Sequence, residues 1–298
     1  MAELVQHLLN GLSLGSVYAV IALGYTMVYG ILALINFAHG DVFMLGAFAG
    51  YYLAKVNGGG EPSLLGAFVI TLGSMVICAI LGMLIERGAY RPLRQQPRLT
   101  CLITAIGMSL FIENVGQLVF GAAPRFFPPV FPETSYEVGP VTIVSSQLLV
   151  IGVSLMLMVA LQFIVFRSKL GLAMRAVSFN HDVAALMGIP VDRIIMFTFA
   201  LGSALAAAAG ILVAQTYKSV NPLLGMGYGL KAFVAAVLGG IGNIPGAMVG
   251  GLVLGFAESL VSGYGGSAYR DAIAFSVLIL ILIFRPSGLF GRFAPEKV

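Results

Sequence analysis

The sequence predicts an all-α fold: a polytopic transmembrane helix bundle of about eight or nine spanning or half-spanning segments, some of them broken. Two observations carry this expectation. Of the 298 residues, 59% are hydrophobic and only 9% charged, where a soluble domain carries about a quarter charged residues. Apolar runs long enough to span a bilayer, about 18 residues or more, recur along the whole chain, and the mean hydropathy is +1.00. A surface so poor in charge has to be solvated by lipid or by other membrane helices, so residues 1–298 read as a single transmembrane domain.

The elements follow in order. The start, Met1-Ala2-Glu3-Leu4, has no basic region ahead of its apolar run and no early small-residue cleavage pattern, so the first span is expected to stay. Apolar runs fall at about 4–33, 36–54, 63–85, 100–120, 144–166, 194–216 and 271–285. Region 229–263 is interrupted by Gly239, Gly240, Gly242, Pro245 and Gly246 and reads as two short helices meeting at a break. Segment 121–143 is rich in proline (Pro124, Pro128, Pro129, Pro132) and reads as a loop. Segment 167–193 carries a short amphipathic helix: Asn180 as N-cap, Asp182 in the first turn, Val183, Leu186 and Met187 on one face, Gly188 as terminator and Pro190 behind it. Small residues spaced by four, as in Gly11/Gly15, Gly202/Ala206 and Gly251/Gly255, allow close helix contact. Cys78 and Cys101 lie in or beside apolar text and read as packing residues.

Basic residues set the orientation. Arg87, Arg91, Arg94 and Arg98 share one loop, Arg167, Lys169, Arg175 and Arg193 flank and fill a second, and Arg285, Arg292 and Lys297 close the chain. The positive-inside rule puts all three, and with them the C-terminus, in the cytoplasm. Segment 121–143, with Arg125 against Glu133 and Glu137, is expected outside.

Catalysis is not expected. There is no G-x-x-x-x-G-K-[ST] loop, no H-E-x-x-H, no cluster of His and Cys, and the only histidines are His7, His39 and His181. No cofactor, metal or nucleic acid is expected on this chain.

Four features could carry function. Asn36-Phe-Ala-His39-Gly40-Asp41 joins two apolar runs with no real loop. It reads either as a helix break lining a solute path or as a tight interfacial turn. Gly239-Gly240-Ile-Gly242-Asn243-Ile-Pro245-Gly246 cannot continue a regular helix. It is a break with functional consequences, or a re-entrant turn serving close packing. Glu113 and Gln117 share a helix face, and Glu258 and Lys231 are further ionisable groups in apolar text; they line a path or hydrogen-bond neighbouring helices. Segment 178–190 is a docking helix for a separate motor, or a helix lying on the membrane.

These residues then meet a known pattern. Leu23-Gly-Tyr-Thr-Met-Val-Tyr-Gly30, Ile35-Asn-Phe-Ala-His-Gly-Asp41, Ile85-Glu-Arg, Tyr90-Arg-Pro-Leu93, Lys231-Ala-Phe, Ala235-Ala-Val-Leu-Gly-Gly-Ile-Gly-Asn-Ile-Pro-Gly-Ala-Met248, Phe284-Arg-Pro-Ser-Gly-Leu-Phe-Gly291 and the ending Glu296-Lys-Val298 resemble the LivH-type permeases of branched-chain amino acid importers. The resemblance runs in order from about residue 8 to the end. It implies a bacterial inner-membrane permease subunit of an ATP-driven importer for leucine, isoleucine and valine, working by alternating access. It also implies a LivM-type sister permease, two cytoplasmic ABC ATPase subunits that hold the ATP and Mg, and an external solute-binding protein. The stretch Asp182-Val-Ala184-Ala185-Leu186-Met-Gly188-Ile189-Pro190 is similar to the loop by which such permeases couple to their ATPases. Asp182 stands one residue out of step with the family's acid, so a role for its charge does not carry over. A urea or short-amide permease of the same family, a passive channel and a proton-coupled transporter are the alternatives.

Overall fold

The computed structural model describes residues 2–57, 62–94 and 96–291. Arg292, Lys297 and the ending Glu296–Val298 lie outside the described residues. Eleven α-helices follow one another among them: α1 (Ala2–Leu32), α2 (Ala38–Val56), α3 (Leu64–Ile85), α4 (Arg98–Phe120), α5 (Ser145–Arg167), α6 (Lys169–Phe179), α7 (His181–Leu186), α8 (Val191–Tyr217), α9 (Leu224–Gly239), α10 (Ile244–Tyr264) and α11 (Arg270–Phe284). Seven of these helices are long and apolar enough to cross a membrane: α1, α3, α4, α5, α8, α10, and α11 when joined to the 3-10 turn before it, as Ser267–Phe284. With α2, of 19 residues, and α9, of 16, they make up the expected set of spanning or half-spanning segments.

Three local features were not expected. Segment 167–193 holds two helices rather than one: α6 starts at the Ser168 cap, whose Oγ accepts from Gly171 N at 2.9 Å, and α7 is only six residues long. The proline-rich segment contains a hairpin of β2 (Ser135–Val138) and β3 (Val141–Val144), and its β1 (Arg125–Phe126) pairs antiparallel with β4 (Ser219–Val220) after α8. Finally, α3 does not stop at Ile85 but loosens into a π turn over Glu86–Tyr90 and a 3-10 turn over Arg91–Leu93. Pro92 supplies the cause, because it lacks the N–H that an α-helix needs there and its ring crowds the preceding turn.

Helices that are apolar all round separate by what they face. The most apolar stretches of α1 and α8 are 83% and 78% buried, whereas that of α11 is 6% buried. Large apolar side chains such as Leu65, Phe68, Ile103, Phe111, Leu155 and Ile283 stand exposed on α3, α4, α5 and α11, a surface suited to lipid or to partner helices. Small residues bring the inner helices together. A side chain at Gly15 or Gly255 would collide with the α10 or α1 backbone, and one at Gly46 or Gly210 would collide across the α2–α8 contact. Without a hydrophobic drive between helices in lipid, close backbone approach is what holds such a bundle.

Two ends result. At one, the hairpin end, Thr142 N donates to Gln6 Oε1 at 3.0 Å, and Glu133 takes Gln215 Nε2 at 3.3 Å and Lys218 Nζ at 2.6 Å. These bonds clamp the proline-rich segment onto α1 and α8. At the other, the basic end, lie the Arg87–Arg94 turns, α6 and α7. There the chain after α11 folds back, with Leu289 N and Phe290 N donating to the carbonyls of Leu238 and Gly239 at 2.8 and 3.1 Å.

Candidate functional site

The first break is short and buried. Ala33 leaves α1 with φ 51°, a left-handed conformation that costs a residue with a Cβ about 1 kcal/mol or more. Ala33 N still bonds Tyr29 O at 2.7 Å, so the chain turns within one residue and enters α2 at Ala38. Asn36, His39 and Asp41 are all buried, each with a partner from another helix or turn, as buried polar groups require. The Tyr90 hydroxyl donates to Asn36 Oδ1 at 2.7 Å. His39 Nε2 lies 3.2 Å from the carbonyl of Ile21, with its ring edge-on to Tyr25 at 4.7 Å between centroids. A carbonyl only accepts, so Nε2 carries the proton. The Ser109 hydroxyl donates to Asp41 Oδ2. Gly40 abuts Gly225 and Gly229, where any side chain would strike the opposing backbone. α9 thus begins at Leu224, ahead of the apolar region expected from residue 229.

Beside this break lies a cavity of about 160 Å³, walled by Tyr25, Gly40, Asp41, Ser109, Glu113 and Gly225 among others. It joins two groups that were far apart in sequence, the α1–α2 break and Glu113 of α4. Gln117 is not part of its wall; it lies a turn further along α4, half-buried.

The glycine-rich break is a tight turn at the basic end. Gly240 and Gly242 take φ of 102° and 91°, a conformation open to glycine and strained for other residues. Asn243 caps α10, its Oδ1 accepting from Gly246 N at 3.1 Å while its Nδ2 donates to Phe290 O at 2.8 Å. Pro245 sits in the first turn of α10, where no N–H is needed. Gly239 and Gly246 touch backbone to backbone. The turn is thus fixed by the C-terminal segment; of its residues, Gly242 and Ile244 reach a small cavity of about 80 Å³ between α1, α5 and α6.

The short helix α7 sits at the same end. Asn180 Oδ1 accepts from Asp182 N at 2.9 Å and Val183 N at 3.0 Å. Gly188, at φ 79°, closes it, with Gly188 N bonding Ala185 O at 2.9 Å and Ile189 N bonding Ala184 O at 3.0 Å. Pro190 then starts α8. Ala184 is buried against the body, while Leu186 and Met187 are 86% and 78% exposed. His181 Nε2 reaches the carbonyl of Ile31, in the last turn of α1, at 2.8 Å. Beside α7, Arg91 and Arg94 both bind Asp192, and Arg94 also binds the buried Glu86. Burial alone would push the Arg94 guanidinium down, and Asp192 opposes that. A groove of about 580 Å³ between Arg87, Arg91, Ala185, Pro190 and Arg193 lies open at the surface.

Several pairings carried no signal in the sequence. His181, Tyr90 and Ser109 each reach partners at least 54 residues away, and nothing local marks them.

The chain matches the family described as "branched-chain amino acid transport system / permease component" over residues 7–282. It is 44% identical over 300 residues to the high-affinity branched-chain amino acid transport system permease protein LivH of Salmonella typhimurium, covering 99% of this chain and 97% of that protein. The same identity, over 301 residues and with the same coverage, relates it to LivH of Escherichia coli K12. It is also 44% identical over 303 residues to the permease protein BraD of Pseudomonas aeruginosa, covering 99% and 98%.

Proposed function

Because this chain belongs to the family of branched-chain amino acid transport system permease components, we propose that it is one membrane-spanning subunit of an ATP-driven importer for leucine, isoleucine and valine. It is a multi-pass permease and not itself an enzyme. In this reading it sits in the bacterial inner membrane with its basic end and C-terminus in the cytoplasm. It pairs with a LivM-type sister permease, two ABC ATPase subunits that carry ATP and Mg, and an external solute-binding protein.

One observation supports the coupling most directly: α7 presents Leu186 and Met187 outward while His181 ties its other side to the end of α1. An exposed apolar pair on a short capped helix suits insertion into a groove on a partner. The groove lined by Arg87, Arg91 and Arg193 adds charge for acidic groups of that partner. Movement of α7 would be carried to α1 and then to the break at Ala33–Phe37. The cavity of Asp41 and Glu113 lies just beyond that break, so the break is where a change of access would begin.

Reconstitution in liposomes with the four partner proteins tests this reading. Leucine uptake should require the binding protein outside and hydrolysable ATP on the ATPase side. Uptake by this chain alone, without ATP, would return it to the channel class.

A further inference from the structure

A polar cavity also opens at the hairpin end of the bundle. A cavity of about 300 Å³ lies between the ends of α1, α5, α8, α10 and α11, with Asn10, Gln147, Tyr217, Glu258, Ser262 and Arg270 in its wall. That size is near the lower bound of small-molecule sites, about 300 Å³. Glu258 is fully buried. Its Oε2 takes three donors: the Tyr18 hydroxyl at 3.0 Å, Lys231 Nζ at 3.2 Å and Arg270 Nε at 2.6 Å. Its Oε1 takes none. Lys231 in turn binds Asp271 at 2.7 Å, so two cations face two carboxylates.

A buried carboxylate oxygen without a donor is costly, and it marks a place for one. We infer that this cavity binds a small zwitterion, an α-amino acid with a compact aliphatic side chain, before it enters the bundle. The ligand's ammonium bonds Glu258 Oε1, which neighbouring side chains cover in this structure and uncover as the ligand enters. Its carboxylate faces the remaining N–H donors of Arg270 and the hydroxyl of Ser262. Its side chain rests on Leu14, Val17 and Val213, which complete the wall. The charges already present balance, so a ligand carrying both signs enters without leaving a net charge in the low-dielectric interior, whereas an amine or an acid alone does not. The site would receive solute from the external side and hold it on the way in. This inference rests on the amino-acid importer reading above and adds the residues that meet the solute in this subunit.

The test uses the assembled transporter in lipid nanodiscs without the binding protein, with tritiated leucine in a scintillation proximity assay. Leucine should bind saturably. The amine 3-methylbutylamine and the acid 4-methylpentanoate, each carrying one of its charges, should fail to displace it. Glu258→Gln should weaken binding by about tenfold or more, the loss expected when a hydrogen bond to a charged group is removed. Ser262→Leu fills the cavity without touching the ion cluster and should weaken it comparably. Each variant is first checked for co-purification with the ATPase subunits, so that misassembly is not read as lost affinity. A complex that imports leucine yet shows no saturable binding, or whose binding survives both substitutions, overturns the site and leaves the importer reading standing. A complex that imports no leucine with all partners present overturns the importer reading itself.

Discussion

His181 Nε2 lies 2.8 Å from the carbonyl oxygen of Ile31, a residue 150 positions earlier in the chain. The last carbonyls of a helix have no partner within it, and His181 supplies one for α1 immediately before the chain breaks at Ala33. The bond joins the helix placed to meet the motor to the helix that borders the break. His181→Ala removes it at a cost of roughly 1 kcal/mol, equivalent to about a fivefold shift in a two-state equilibrium. The expected outcome is leucine uptake per ATP hydrolysed falling about fivefold in liposomes, with membrane insertion unchanged. An unaltered ratio would remove His181 from the coupling route.

Leu186 and Gly188 should respond differently. Leu186 is held by little within the chain, so Leu186→Glu leaves the fold intact and places a charge where an apolar groove is expected. Co-purification with the ATPase subunits should be lost. Gly188 has open space around it but a φ of 79°, so Gly188→Ala strains only the backbone, by about 1 kcal/mol. That variant should assemble and transport with reduced rate. Equal, complete loss in both would mean that the shape of the turn, not the apolar contact, makes the interface.

These sites differ in how much of them the sequence held. Spans, their order, the helix ends at Asn180 and Gly188 and the break at Gly239–Gly246 were legible because they rest on local signals: apolar length, capping side chains, and glycine or proline at turns. The pairing of Lys231 with Glu258 could be expected in kind, since charges in apolar text need partners. Which helices meet could not be read. Every helix is apolar nearly all round, so periodicity gave no face, and the meeting of Asp41 with Glu113 or of Gly40 with Gly225 depends on backbone contacts that composition does not encode. The start of α9 at Leu224 escaped for the same reason: Gly225 and Gly229 serve a close helix crossing. The hairpin at Ser135–Val144 was hidden among prolines that signal a loop.

The ion cluster at the basic end separates buried from exposed charge. Arg94 and Glu86 have 14% and 1% of their side chains exposed, whereas Asp192 is half-exposed. Arg94→Ala strands the Glu86 carboxylate inside the protein, and breaking a buried pair this way costs about 3–5 kcal/mol. Asp192→Ala removes a partner that water can replace, for about 1 kcal/mol or less. Heat-induced aggregation in detergent should therefore occur many degrees lower for Arg94→Ala and nearly unchanged for Asp192→Ala. Similar shifts for the two would show that Glu86 finds another donor.

Orientation can be tested on the chain itself, because its own thiols are out of reach: Cys78 and Cys101 are 0% and 4% exposed. Phe179, at the end of α6, is 92% exposed at the basic end, and Tyr136, in β2, is 54% exposed at the hairpin end. Cysteine at either position offers a reactive thiol to a membrane-impermeant maleimide. The positive-inside rule assigns Arg87, Arg91, Arg94, Arg167, Lys169 and Arg175 to the cytoplasm, so intact spheroplasts should label Tyr136→Cys and spare Phe179→Cys. Inside-out vesicles should show the reverse. Expressing the chain without ATPase subunits keeps a docked partner from shielding Phe179→Cys. The opposite pattern would place α7 on the side without ATP, and a helix there could not take its movement from a nucleotide-driven motor however well its contacts suit one.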